Sequence, residues 1–226
     1  MKPHVTFKLD YKKDARNFFD AANSRMYDGW DFSKFVLPEI KKKVRGKSWE
    51  KSKAYLYDLM KENYKRDGKM INLVRKQFSE AWNLVEGEYF KRLENVMKKP
   101  VYTNNFTAYI TTCKRCPYDE KENSFMTNMW ESSISAILTS AHEISHLQFH
   151  KYYWEQCEKE LGSWKKTNDL KEALTVLLNK KFKDLIIAED KGYPAHKKLR
   201  EHLAKLWDKT KDFDKVLEGG IKYLKK

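Results

Sequence analysis

His142-Glu143-Ile144-Ser145-His146 reads H-E-x-x-H and lies inside a stretch, about Glu131 to Leu161, whose apolar spacing predicts one continuous helix. Four positions is just over one helical turn, so both imidazoles leave the same face, one above the other. Two neutral imidazoles at that spacing can grip one Zn²⁺, and Glu143 stands beside them, where its carboxylate can take a proton from water. A composition with 6 His in 226 residues produces this pattern by chance in about one chain in a hundred. The motif therefore demands a helix here and a further ligand elsewhere, because a zinc that keeps one position open for water needs three protein ligands.

His150 is the nearest further imidazole, but it fails on geometry. Leu147-Gln148-Phe149 contains no Gly to end the helix, and the step from His142 to His150 covers about 12 Å of helix axis at 1.5 Å per residue. Glu172 is the better candidate. It falls near the start of the next expected helix, about Leu170 to Ile186, beside an apolar face of Leu170, Ala173, Leu174, Leu177 and Leu178. A helix-turn-helix excursion can bring it back under the two imidazoles. Asp169 is the alternative ligand, and Asn168 or Asp169 also suits the N-cap of that helix. A first-turn Glu has a simpler explanation too, since it complements the helix dipole.

On His142, Glu143, His146 and Glu172 the chain resembles the gluzincins, the zinc peptidases with H-E-x-x-H on one helix and a Glu ligand on a following helix. The compact layout is most similar to the minigluzincin type, and the likeness covers about residues 101–210. The metzincin extension is absent: Phe149 stands where its Gly would be and Tyr152 where its third His would be. The resemblance implies an α+β, predominantly helical fold, with a zincin-like core whose small sheet packs on the metal-binding helix. It implies Zn²⁺ held by His142, His146 and Glu172, and peptide hydrolysis with Glu143 as general base. It also implies an edge strand that receives an extended peptide, which the order of segments puts at Asn105, Phe106, Thr107, Ala108 and Tyr109. A Tyr or His from the C-terminal part would stabilise the oxyanion, and Tyr193, His196 and His202 are the candidates.

The rest of the chain divides, on composition, into residues 1–100 and 101–226. The first part reads as N-terminal helices, an upper subdomain or pro-region. One helix covers residues 10–28 and ends near Asp28-Gly29, and a long amphipathic stretch from Ser48 to Lys99 is broken at Asp67-Gly68. Val101 to Thr112 is rich in Tyr, Thr, Phe and Ile and reads as one or two strands. Cys113 to Asn128 reads as a polar connection. Gly192-Tyr193-Pro194 is a turn before a last helix, and Phe213 to Lys226 reads as ordinary packed helix, with an inhibitory segment hinged at Gly219-Gly220 as the alternative.

Net charge is +14 but uneven: residues 41–100 carry +9, residues 101–170 carry −2 and residues 171–226 carry +6. The basic surface thus lies outside the motif segment. It leaves room for weak contact with nucleic acid or an acidic partner, and the second reading of the chain is a basic helical binding protein with a structural or vestigial metal site. Lys outweighs Arg, so bidentate reading of bases is not favoured. No apolar run approaches a membrane span, and three Cys make no disulfide framework, which fits a cytoplasmic protein. Cys113 and Cys116 form a lone C-x-x-C, compatible with a redox pair, half a zinc knuckle or coincidence.

Overall fold

The computed structural model describes residues 2–24 and 30–226. The chain is α+β and mostly helical. Its elements are β1 (His4–Leu9), α1 (Tyr11–Asn23), α2 (Pro38–Val44), α3 (Trp49–Asn83), α4 (Glu86–Met97), β2 (Asn105–Thr111), β3 (Tyr118–Asp119) and β4 (Ser124–Asn128). There follow α5 (Ser133–Tyr152), α6 (Trp154–Leu161), α7 (Trp164–Leu174), α8 (Leu178–Lys181), α9 (Lys197–Thr210) and α10 (Phe213–Lys225). Among the described residues no helix is long and apolar enough to cross a membrane.

The chain forms two compact units, and they do not divide at residue 100. One unit takes Asn83–Asn105 and Ala141–Lys226 together with the N-terminal stretch up to His4; the other takes Val5–Trp82 and Phe106–Ser140. The break in composition at Pro100 marks only the end of a helix, since α4 packs with the C-terminal helix α10 while the earlier helices share a unit with the sheet.

In the second unit the four strands run in the order β1-β2-β4-β3. β2 pairs in parallel with β4, Thr107 opposite Ser124 and Thr111 opposite Asn128, and β3 pairs antiparallel with β4. This corrects two expectations. Residues 113–128 are not merely a connection, because they supply β3 and β4; the polar Ser124 and Thr127 hid a strand enclosed on both sides. And β2, which carries Asn105 to Tyr109, is flanked by β1 and β4, so its backbone is already engaged and it is not an edge. Phe106, Ala108 and Ile110 turn one face of β2 into the core.

Beside the sheet, Phe18 and Phe19 of α1 pack with Val36, Ile40, Leu56 and Met60. Asp10 caps α1, accepting from the backbone N–H of Lys12 at 2.8 Å. Buried Asp14 joins α1 to the end of β2 by accepting from the Thr112 hydroxyl (2.7 Å), the Thr112 backbone N–H (3.1 Å) and the Thr111 hydroxyl. α1 ends at Asn23, where Ser24 turns extended, ahead of the end expected near Asp28-Gly29, two residues that lie outside the described ones. α3 does not break at Asp67-Gly68 but runs unbroken for 35 residues. An interior Gly costs a helix only about 1 kcal/mol, and the buried stripe of Leu56, Met60, Ile71, Phe78 and Trp82 continues on both sides of it.

In the first unit the motif-bearing part of α5, from Ala141, is held by α4 and the residues just after it. The Tyr89 hydroxyl donates to the Ala141 carbonyl at 2.7 Å, Gln148 Nε2 donates to the Pro100 carbonyl at 2.9 Å, and the Tyr153 hydroxyl donates to the Met97 carbonyl. The expected single helix to Leu161 is two. Tyr153 departs from helical geometry (φ −130°, ψ −18°), its ring buried against Phe149 and Phe213, and α6 starts afresh after it. Ser163, not Asn168 or Asp169, caps the next helix, which begins at Trp164. Glu172 therefore sits in the last turn of α7, and the first-turn helix-dipole explanation for it no longer applies.

Gly219 and Gly220 lie within the continuous helix α10 and are not a hinge. They allow close packing: a Cβ on Gly219 would stand 2.3 Å from Leu206 Cδ1, and one on Gly220 would stand 2.5 Å from Leu170 Cδ1 and 3.0 Å from Leu203 Cδ2. Leu170 and Leu203 are fully buried, whereas Leu206 has room to turn aside. Gly220→Ala is thus expected to destabilise the protein by about 1–3 kcal/mol in spite of the better helix former. Gly219→Ala should stay within about 1 kcal/mol of wild type, as the gain in helix propensity offsets the rearrangement of Leu206. Urea unfolding of the two variants checks the order, and equal midpoints would refute it.

Candidate metal centre

One turn of α5 and the last turn of α7 bring His142, His146 and Glu172 together, with one ligand atom from each inside a 4.8 Å group. The imidazole rings lie 4.3 Å apart, centroid to centroid. Glu172 Oε2 is 3.2 Å from His146 Nε2 and 3.6 Å from His142 Nε2. Atoms each bound to one zinc at 2.0–2.1 Å in tetrahedral geometry stand about 3.3 Å from one another, so these separations fit an ion between them. His146 and Glu172 are buried, and His142 keeps partial exposure, which suits a site reached from one side.

The chemistry of the donors argues in the same direction. Asp190 Oδ2 lies 2.7 Å from His142 Nδ1. A carboxylate only accepts, so Nδ1 carries the hydrogen and the Nε2 lone pair is left facing Glu172. Two imidazole nitrogens and a carboxylate oxygen then converge on one point, where a proton or a metal cation fits. The electrostatics reflect the proton case. Burial opposes a charged His142, but Asp190 beside it, helped by Glu172 and Glu143, raises its pKa well above the ordinary range. Burial and the Lys171 ammonium push His146 down to about 3. Glu172, though buried, is held well below the carboxylate range by the two imidazoles and Lys171.

Asp190 is the member of this cluster that sequence reading missed, and it is firmly set. Arg200 Nη2 donates to Asp190 Oδ1 at 2.9 Å and to its backbone carbonyl at 2.5 Å, while Nη1 donates to Thr175 Oγ1 at 2.7 Å. Asn179 brackets the Asp190 backbone, donating to its carbonyl and accepting from its N–H, both at 2.8 Å. Gly192 (φ +59°) lets the chain turn close to Arg200, where a Cβ would stand 2.7 Å from the guanidinium. A carboxylate on the outer nitrogen of a metal-binding imidazole fixes its tautomer and orientation.

The remaining candidates are more dispersed. Glu143 is buried next to His142 on α5. Asp169, the alternative ligand, pairs instead with Lys165 at 3.0 Å and with His196 Nε2 at 3.3 Å. Tyr193 is half-buried, its ring edge-on to His196. His202 packs against Tyr223. Asn105 to Tyr109 belong to the internal strand β2, which removes the basis for assigning them to peptide pairing. All three cysteines are thiols, and burial pushes Cys113 up to about 11 and Cys157 up to about 12, far from a reactive thiolate. Cys116 lies near Asn128 and Glu131.

His150 sits one turn beyond His146 and stacks on Trp154, 4.2 Å between centroids and 13° from parallel. Burial, with the nearby Lys171 charge, pushes its pKa down to about 4. A base depressed in the folded state contributes stability that is present above its unfolded pKa of about 6.5 and is lost as pH falls toward 4. His150→Gln should therefore lose less stability than wild type between pH 7 and pH 4.5, read from urea midpoints. Parallel losses in the two proteins would contradict the assignment.

No family model, curated protein or solved structure matches this chain. The reading of the centre consequently rests on its own geometry.

Proposed function

We propose that the chain is a zinc-dependent metallopeptidase of the gluzincin kind, with a zincin-like core. The observation that supports this most is the convergence of His142 Nε2 and His146 Nε2 on Glu172 Oε2, at 3.6 and 3.2 Å, with buried Glu143 next to His142 on α5. When bound, Zn²⁺ supplies polarisation of a scissile carbonyl and lowers the pKa of water toward neutrality.

The protein's own groups do the rest. His142, His146 and Glu172 hold the ion, and Asp190, itself held by Arg200, keeps His142 Nδ1 protonated so that Nε2 remains a ligand. Glu143 accepts the water's proton and delivers it to the leaving amine nitrogen. A merely structural centre has no need of that carboxylate. A Tyr or His of the C-terminal part, among Tyr193, His196 and His202, supplies the donor to the oxyanion.

The test is cleavage of unfolded casein by protein loaded with one zinc per chain, loss of cleavage on chelation and its return with added zinc. Protein that binds zinc and cleaves nothing, but binds DNA or RNA in a strongly salt-dependent way, would sink this reading in favour of the basic binding protein.

A further inference from the structure

Lys171 sits in a place where lysine is rarely found. Its side chain is 2% exposed, and it lines a cavity of about 30 Å³ whose other walls include Leu93, Met97, Phe149 and Phe213. Its Nζ lies 2.9 Å from Glu172 Oε1. The two oxygens of Glu172 are thus divided: Oε1 meets the ammonium, while Oε2 meets the two imidazoles at 3.2 and 3.6 Å.

We propose that Lys171 is a positioning residue that restricts Glu172 to one-oxygen coordination of the metal, an inference that rests on the metal-centre reading above. A carboxylate can bind a cation through one oxygen or both, and a second oxygen would occupy the position that a hydrolytic centre keeps open. The ammonium prevents this in two ways. Its hydrogens occupy the Oε1 lone pairs, and its positive charge repels a cation drawn toward that oxygen. Removed from water, both effects act at close range and are screened little. Lys171 immediately precedes Glu172 on α7, so the helix that supplies the ligand also supplies its restraint.

Cobalt(II) substituted for zinc reports the coordination number, because four-coordinate Co²⁺ absorbs several-fold more strongly in the visible than five-coordinate Co²⁺. Wild type is expected to give the intense four-coordinate spectrum. In Lys171→Met, which keeps the length of the side chain among apolar neighbours, the bands should weaken several-fold. The variant should also hold metal about tenfold more tightly against a chelator, a change of the size that outer-shell partners produce. Lys171→Arg, which retains charge and donor, should match wild type. An unchanged Lys171→Met spectrum, or equal changes in both variants, overturns the inference while leaving the metal centre standing. Wild type that takes up no cobalt or zinc overturns the metal centre itself. X-ray absorption of zinc-loaded wild type needs no variant: four ligand atoms at 2.0–2.2 Å support the proposal, and a fifth from Glu172 refutes it.

Discussion

Glu143→Gln is expected to lower the rate of casein hydrolysis by roughly two to four orders of magnitude, the contribution of a positioned general base, while zinc stays at one per chain. Gln keeps the size and the hydrogen-bonding reach of Glu but cannot take a proton. The residue is buried beside His142 without being one of the three converging ligands, so the metal has no reason to leave. The fall should appear in kcat more than in KM, because the proton is transferred only as the water attacks. His146→Ala provides the contrast: it removes a buried ligand and should lose zinc and activity together. Zinc content by atomic absorption, measured beside the rate, separates the two. A Glu143→Gln protein that cleaves casein at the wild-type rate would remove Glu143 from the mechanism.

How far the centre could be read from the sequence depended on whether spacing carried the information. His142, Glu143 and His146 share one helix, and helical periodicity alone puts the two imidazoles on one face. Glu172 needed a second step, that some carboxylate or imidazole had to return to that face, and the reading had the helix starting too late. Asp190 left no trace, for it lies 48 residues beyond His142 on an irregular segment where no periodicity applies. Arg200 and Lys171 were concealed by composition. In a chain with 46 Lys and Arg, one more basic residue on a helix looks like a solvated face, and burial is what sets these two apart.

The fold shows the same limit. Helices with long apolar stripes were legible, and the stripe of α3 outweighed the Asp67-Gly68 signal that was expected to break it. β4 was not legible, since a five-residue strand enclosed by neighbours needs no alternation of polar and apolar residues. That omission also misplaced the edge of the sheet, because β2 becomes internal only when β4 is known to lie beside it.

Asp190→Ala should then produce the largest combined loss of metal affinity and stability among variants outside the ligand set. His142 loses the acceptor that fixes its Nδ1 hydrogen, so the ring can turn or change tautomer, and zinc affinity should fall by about 10- to 100-fold. Arg200, only 7% exposed, loses its carboxylate partner, and a buried charge stripped of its counter-ion costs about 3–5 kcal/mol. The lower end is expected, because Thr175 Oγ1 and the backbone carbonyls of Asp190 and Glu172 still accept from the guanidinium. Asp190→Asn separates the two effects. Its amide keeps the volume and one acceptor oxygen, which can serve Arg200 or His142 but not both with the strength of a carboxylate. Because Arg200 is the stronger donor, the Asn oxygen should turn to it, giving a protein nearly as stable as wild type that binds zinc more weakly. Chelator competition and urea unfolding on the metal-free proteins measure the two quantities independently. Zinc affinity within twofold of wild type in Asp190→Ala would show that His142 is oriented by the helix alone, and the Asp190–Arg200 pair would then be a feature of the fold and not of the centre.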